Sequence, residues 1–179
     1  TFQFKVQDDG NVANGGVNVD PTARTLSISV QPSTRTQFTL PPETVGWWQA
    51  EGNANDTVGN HIGTLNGTTF ATGEVGQAFN FDGGHYVTVA SASDFNFTKF
   101  MTIEAWINPS GYNGNNGLVY RGAFNGDQGS FAFGFFGAGS NVLQFRLNQL
   151  AVQASGHTSL TPGIWYHVAA TYDGTQLKV

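Results

Sequence analysis

Residues 101–109, MTIEAWINP, set Thr102, Glu104, Trp106 and Asn108 against Ile103, Ala105 and Ile107. Alternation with a period of two predicts a strand with two unlike faces. Pro109 ends it, because proline cannot donate to a ladder. Residues 165–172, WYHVAATY, alternate in the same way and stop at the turn dipeptide Asp173-Gly174. Shorter strand-like runs fall at residues 118–120, 130–136, 142–147 and 150–154. Phe79, Phe81, Tyr86, Val87 and Val89 make two more on either side of Asp82-Gly83-Gly84. Residues 51–64 read as a polar loop. Residues 91–100 have room for one helical turn, and no stretch carries a helical period over a useful length. Strands at this spacing predict an all-β fold, a sandwich or a barrel, and strands packed around residues 101–109 and 165–172 make the antiparallel β-sandwich the expectation.

The first 31 residues stand apart. Phe2, Phe4 and Val6 alternate with Gln3, Lys5 and Gln7, and Asp8-Asp9-Gly10 turns the chain. A Gly- and Asn-rich loop follows over residues 11–20, and Leu26, Ile28 and Val30 alternate again. Two such strands bury too little surface to stand alone, so residues 1–31 read as the closing hairpin of a preceding sandwich. Three prolines and small polar residues mark 32–44 as a linker. Residues 45–179 are then the main domain. The chain starts and stops inside strand-like runs, so the expectation is a piece of a longer protein, with the second sandwich short of its last strand.

Composition narrows the partners. Aromatic residues reach 13%, with 15 Phe and 4 Trp, while charged residues are only 11%, against roughly 25% in an average soluble domain. The surface must therefore be rich in amides and hydroxyls. Net charge is −5 and the few Lys and Arg are scattered, which argues against a nucleic-acid partner. Cysteine is absent, which removes disulfides and thiolate metal sites. No apolar run approaches the ~20 residues of a spanning helix, so no membrane insertion is expected.

Two groups of residues could carry chemistry. Glu51, Asn53, Asn55, Asp56, Thr57 and Asn60 crowd oxygen atoms into one loop, and calcium takes six to eight oxygen ligands. The loop is not an EF-hand: Asp56 stands where that template needs glycine, and Ile62 where it needs glutamate. Asp82 reads as a turn residue, and Asp8, Asp9 and Asp20 could bind calcium between domains. The second group is aromatic. Trp106 shares a strand face with Glu104, a stacking platform beside a polar anchor, as sugar recognition requires. Tyr112, Phe124 and Phe136 are loop aromatics that could also touch a ligand. Against this, Trp47, Trp106 and Trp165 could simply pack the sandwich. The histidines (His61, His85, His157, His167) show no metal-ligand spacing, and His167 reads as a structural residue within its strand. Sequons stand at Asn55, Asn66 and Asn96, but none is read as a glycosylation site.

Three fragments carry a family resemblance: WWQAEGNANDTVGNHIGTLNGTTFATGEVGQAFNFDGGHYVTV, FMTIEAWINP and GIWYHVAATYDGTQLKV. Together, over residues 45–179, they resemble the LamG-like jelly rolls of the concanavalin A-like lectin/glucanase superfamily. FQFKVQDDGNVANGGVNVD and LSISV resemble the closing strands of bacterial cadherin-like or Ig-like repeats. The resemblance implies a structural calcium ion shared by Asp56, Asn60 and Asp173. It also implies what is lacking: the superfamily's glucanases carry ExDxxE on one strand, and here Glu104 stands alone, so no catalytic residues are expected and the protein is not read as an enzyme. The expectation is a non-catalytic carbohydrate-binding or adhesion module of a larger bacterial secreted or surface protein. Its ligand face would be Glu104, Trp106 and Tyr112, its partner a polysaccharide or glycoconjugate. The alternative is a protein-contact or spacer module, partnered by an extracellular protein and without a sugar site.

Overall fold

A computed structural model of the chain describes residues 2–4, 24–26, 39–97, 99–114, 116–122, 130–147 and 152–179. The chain divides into two units, Thr1–Pro41 and Pro42–Val179. In the first, β1 (Phe2–Phe4) pairs antiparallel with β2 (Arg24–Leu26), Phe2 lying opposite Leu26. Asp8, Asp9 and Asp20 lie outside the described residues.

Among the described residues the named strands of the second unit all pair antiparallel, and a single parallel bridge joins Gly67 to Tyr86. These strands are β3 (Gly63–Asn66), β4 (Thr69–Thr72), β5 (Gln77–Asn80), β6 (Tyr86–Val89), β7 (Met101–Ile107), β8 (Asn116–Arg121), β9 (Phe131–Phe135), β10 (Leu143–Leu147), β11 (Val152–Ser155), β12 (Tyr166–Tyr172) and β13 (Leu177–Lys178). They form a four-stranded sheet in the order β11-β10-β9-β8, a three-stranded sheet β13-β12-β7, and the pairs β3-β6 and β4-β5. One 3-10 turn, Ser93–Phe95, occupies the stretch expected to hold a single helical turn. Residues 45–50 contribute only a single bridge, Trp48 to Asp56. The polar loop that follows ends at Ile62, two residues before residue 64, since β3 begins at Gly63.

Alternation decides what faces inward. In the three-stranded sheet, Met101 is buried, Ile103, Ala105 and Ile107 are partly buried, and Val168 and Ala170 stand opposite on β12. In the four-stranded sheet, Phe133 and Phe135 of β9 and Leu143 and Phe145 of β10 point the same way. These residues join Leu160 and Leu177 in one core, with Phe133 and Phe145 fully enclosed. Their rings meet edge to face, 6.2 Å between centroids at 81°, the geometry favoured by the aromatic quadrupole. Removing either ring costs about 3–5 kcal/mol.

β9 departs from simple alternation: Ala132 and Gly134, on the side away from the core, are buried as well. Gly134 has a local cause. The register of β8 on β9 slips between Gly117 and Val119, a bulge that brings backbone over Gly134. A Cβ there would stand 2.4 Å from the Asn116 carbonyl oxygen and 2.9 Å from the Leu118 nitrogen. Both are backbone atoms that cannot swing aside. Gly134→Ala should therefore destabilise the domain by about 2–3 kcal/mol. Gly117→Ala, whose Cβ would meet only the Tyr120 ring at 3.7 Å, should cost less than about 1 kcal/mol. Denaturant midpoints of the two variants check the contrast; equal losses would show that the bulge does not constrain β9.

Candidate functional site

The register of β7 on β12 sets His167 opposite Trp106, Ala169 opposite Glu104 and Thr171 opposite Thr102. Cross-strand partners share a face, so these six residues, with Lys178 of β13 opposite Thr171, form the outer surface of the three-stranded sheet, behind the core-facing Ile103, Ala105 and Val168. Trp106 is 50% exposed. Its ring lies 5.3 Å from that of His167, tilted by 52°. His167 Nε2 stands 3.6 Å from Glu104 Oε2, and both side chains are about half exposed (49% and 57%). The packing role weighed for Trp106 is therefore corrected: period two puts it on the side of the sheet away from the core. The group offers an apolar ring edged by a carboxylate and an imidazole, suited to holding a hydroxylated ring. Glu104 has no second carboxylate on its strand, so the paired-acid arrangement of a glycosidase is not assembled on β7.

Tyr112 is not part of this group. It is partly buried, its hydroxyl donates to the Leu160 carbonyl at 2.9 Å, and its ring meets Phe135 edge-on at 4.9 Å. It pins the loop after β7 onto the core, and burial holds its phenol above the usual range. Phe136 is buried under the guanidinium of Arg146, which corrects its reading as an exposed loop aromatic. Phe124 lies outside the described residues. His167, read as structural, instead belongs to the exposed group. Its signal was present in the sequence, since it occupies the same parity on β12 as Trp106 does on β7.

The residues expected to hold calcium are engaged elsewhere. The Asp56 side chain is fully buried and accepts five hydrogen bonds. Oδ1 takes the backbone N–H groups of Trp47 (2.8 Å) and Val58 (2.9 Å). Oδ2 takes those of Gly59 and His61 (3.0 Å each) and faces His61 Nδ1 at 2.9 Å. The far nitrogen of His61 lies 3.2 Å from Asp94 Oδ2, and its ring packs 4.5 Å from Phe95. The loop closes tightly enough that a Cβ on Gly59 would collide with the Val45 carbonyl and the His61 ring. Asn60 takes a left-handed φ of 63°, a conformation asparagine tolerates better than most residues. Asp173 Oδ1 accepts from Thr175 N, Thr175 Oγ1 and Gln176 N, the pattern of a self-bonded turn. Asp56 could ligate a metal only by giving up N–H partners. Among the described residues no three His, Asp or Glu side chains converge as a metal group. The set does not fit calcium as arranged. Asp82 likewise accepts from Gly84 N within its own turn.

Burial alone would raise the Asp56 pKa, but the summed N–H donors outweigh it and hold the carboxyl at about 2, against 3.8 unperturbed. At Asp173 the N–H of Gln176 leads, with the Thr175 donors, to about 2 as well. A depressed folded-state pKa stabilises above the unfolded value, and that contribution fades as pH falls from about 4 toward 2. Asp56→Asn should cost about 2–3 kcal/mol at neutral pH, because its amide presents N–H to N–H. It should also flatten part of the acid limb, leaving the share of Asp173. Chelator should not shift the melting temperature. Thermal melts from pH 2 to 7, with calcium and with chelator, check all three outcomes.

Residues 81–179, more than half of the chain, match the family model described as the concanavalin A-like lectin/glucanases superfamily. No curated protein and no solved structure matches the chain. Domains of this superfamily are in general carbohydrate-binding or adhesion modules, and mostly non-catalytic. With a two-sheet antiparallel core and β7 through β13 all inside the matched segment, the chain belongs to the concanavalin A-like lectin/glucanase superfamily.

Proposed function

We propose that this protein is a non-catalytic carbohydrate-binding module that holds a saccharide on the outer face of β7 and β12. Trp106 is the stacking ring, and Glu104 and His167 bond the hydroxyl groups. The observation that carries this is the half-exposed Trp106 with both polar groups beside it on one sheet face. An exposed tryptophan offers the apolar face a pyranose needs, and a carboxylate and an imidazole supply acceptor and donor. One ring and two polar groups on a flat face suggest roughly millimolar affinity for a single sugar unit. A longer polysaccharide would gain from neighbouring units. Such a module suits a larger secreted or surface protein that uses it to stay near a glycan. Calcium is not a working part of this site.

A second reading, adhesion through a protein partner, is favoured by the β4-β5 hairpin. Phe70, Phe79 and Phe81 follow one another there with centroids 5.7 and 5.9 Å apart, and Phe81 is 50% exposed.

A glycan array should show retention of the wild-type protein, with at least a tenfold loss for Trp106→Ala and a smaller loss for Glu104→Gln. Chelator should change neither. Binding that survives Trp106→Ala intact would move the site off β7, and silence across the array would favour the adhesion reading.

A further inference from the structure

The four-stranded sheet has an outer face of its own, and its chemistry differs from that of β7 and β12. Register places Tyr120, Ala132, Arg146 and Gln153 in one row across β8, β9, β10 and β11. Gly117, Gly134, Gln144 and Ser155 form the next row. Both rows face away from Phe133 and Phe145. The four strands contain no Asp or Glu; their charged residues are Arg121 and Arg146.

Arg146 is partly buried, and it is held in place. Its guanidinium lies 4.3 Å from the centre of the Phe136 ring. One Nη2 hydrogen goes to Gln144 Oε1 at 2.7 Å, and Gln144 is fixed in turn by donating to the Phe136 carbonyl. Nε is buried with no hydrogen-bond partner, and among the described residues no carboxylate pairs with the group. Burial pushes the pKa of the guanidinium down, yet it stays charged. A partly desolvated cation without a counter-ion is costly, and an orphaned buried donor calls for a reason. Stacking and the Gln144 bond have already removed most of its rotamer freedom, so little is lost when an anion docks.

We propose that this face binds a carboxylate-bearing saccharide, a uronic acid unit, with the fork of Arg146 taking the carboxylate. The planar guanidinium matches a carboxylate in a two-bond geometry. Tyr120, 65% exposed, offers a ring for the apolar side of the sugar, and exposed Gln153 and Ser155 supply hydroxyl partners. Small Ala132 and Gly134 keep the floor between them low. The site rests on reading the chain as a carbohydrate-binding module, but not on Trp106.

Titration of the full chain with trigalacturonate and with its methyl ester, followed by calorimetry and backbone amide shifts, tests this. The acid should bind and shift amides around Gln144, Arg146 and Gln153. The ester should bind at least tenfold more weakly, and 0.5 M salt should weaken the acid alone. Arg146→Gln should lose at least tenfold, and Arg146→Lys should also weaken because it keeps the charge without the fork. Amide spectra establish that each variant is folded. Equal binding of acid and ester, wild-type affinity in Arg146→Gln, or no binding of the acid at 10 mM would overturn the assignment. If neutral glycans still bind through Trp106 in that last case, only this second site fails. If the acid binds through Arg146 while Trp106→Ala has no effect on any glycan, the site on β7 fails and this one stands.

Discussion

The edge-to-face contact of Phe133 and Phe145 fixes which side of each strand in the four-stranded sheet is inside. Both rings are fully enclosed, and they sit opposite each other in the β9-β10 register. A slip of one residue in that pairing would send every second side chain to the other face. It would carry Phe145 into water and the charge of Arg146 into the core. Burying a guanidinium without a counter-ion and exposing a phenylalanine both oppose the slip, so hydrophobic and electrostatic terms select one register. Both outer faces then follow. Arg146 is displayed because Phe145 is not, and Trp106 is displayed because Ala105 and Ile107 are drawn toward the same core from the other sheet.

Much of this was legible in the chain. MTIEAWINP and WYHVAATY became β7 and β12 with boundaries shifted by a residue or two, because strict alternation between apolar and polar groups has one efficient solution on a pleated surface. The parity that separates Glu104 and Trp106 from Ile103 and Ala105 was also readable. What the sequence concealed was pairing across the sheet. Nothing local says that His167 stands opposite Trp106, or that Tyr120, Arg146 and Gln153 form a row, since those relations arise from registers between distant segments. β3 and β4 were obscured for a related reason. Gly63 and Asn66 are poor strand markers, and β3 and β4 are held by ladder bonds more than by a buried apolar face.

The loop of Asp56 shows where residue type misleads. Asp, Asn and Thr at short spacing suit a calcium ion and a backbone turn equally well, because each demands carboxylate and amide oxygens close together. The arrangement of donors decides between them. The chain wraps so that four backbone N–H groups and the His61 ring converge on one carboxylate, and these supply the compensation a buried anion needs. Asn60 contributes through its φ and Gly59 through its missing Cβ. Neither contribution can be distinguished from a ligand role by composition.

The same bookkeeping of charge separates Asp56 from Arg146. Both are removed from water to some degree, and both are oriented by neighbours. Asp56 is saturated: every lone-pair direction meets a donor, so its energy is spent on holding the loop to Trp47 and His61. Among the described residues Arg146 is not, for one amide oxygen and one aromatic face serve a group with five N–H donors. A fully matched buried charge stabilises a fold, whereas an under-matched one held rigid is a binding group waiting for its counter-ion. On that criterion the two outer faces of the sandwich divide the work by charge. Glu104 on one makes it a poor host for anions, and the acid-free strands of the other leave Arg146 to receive them.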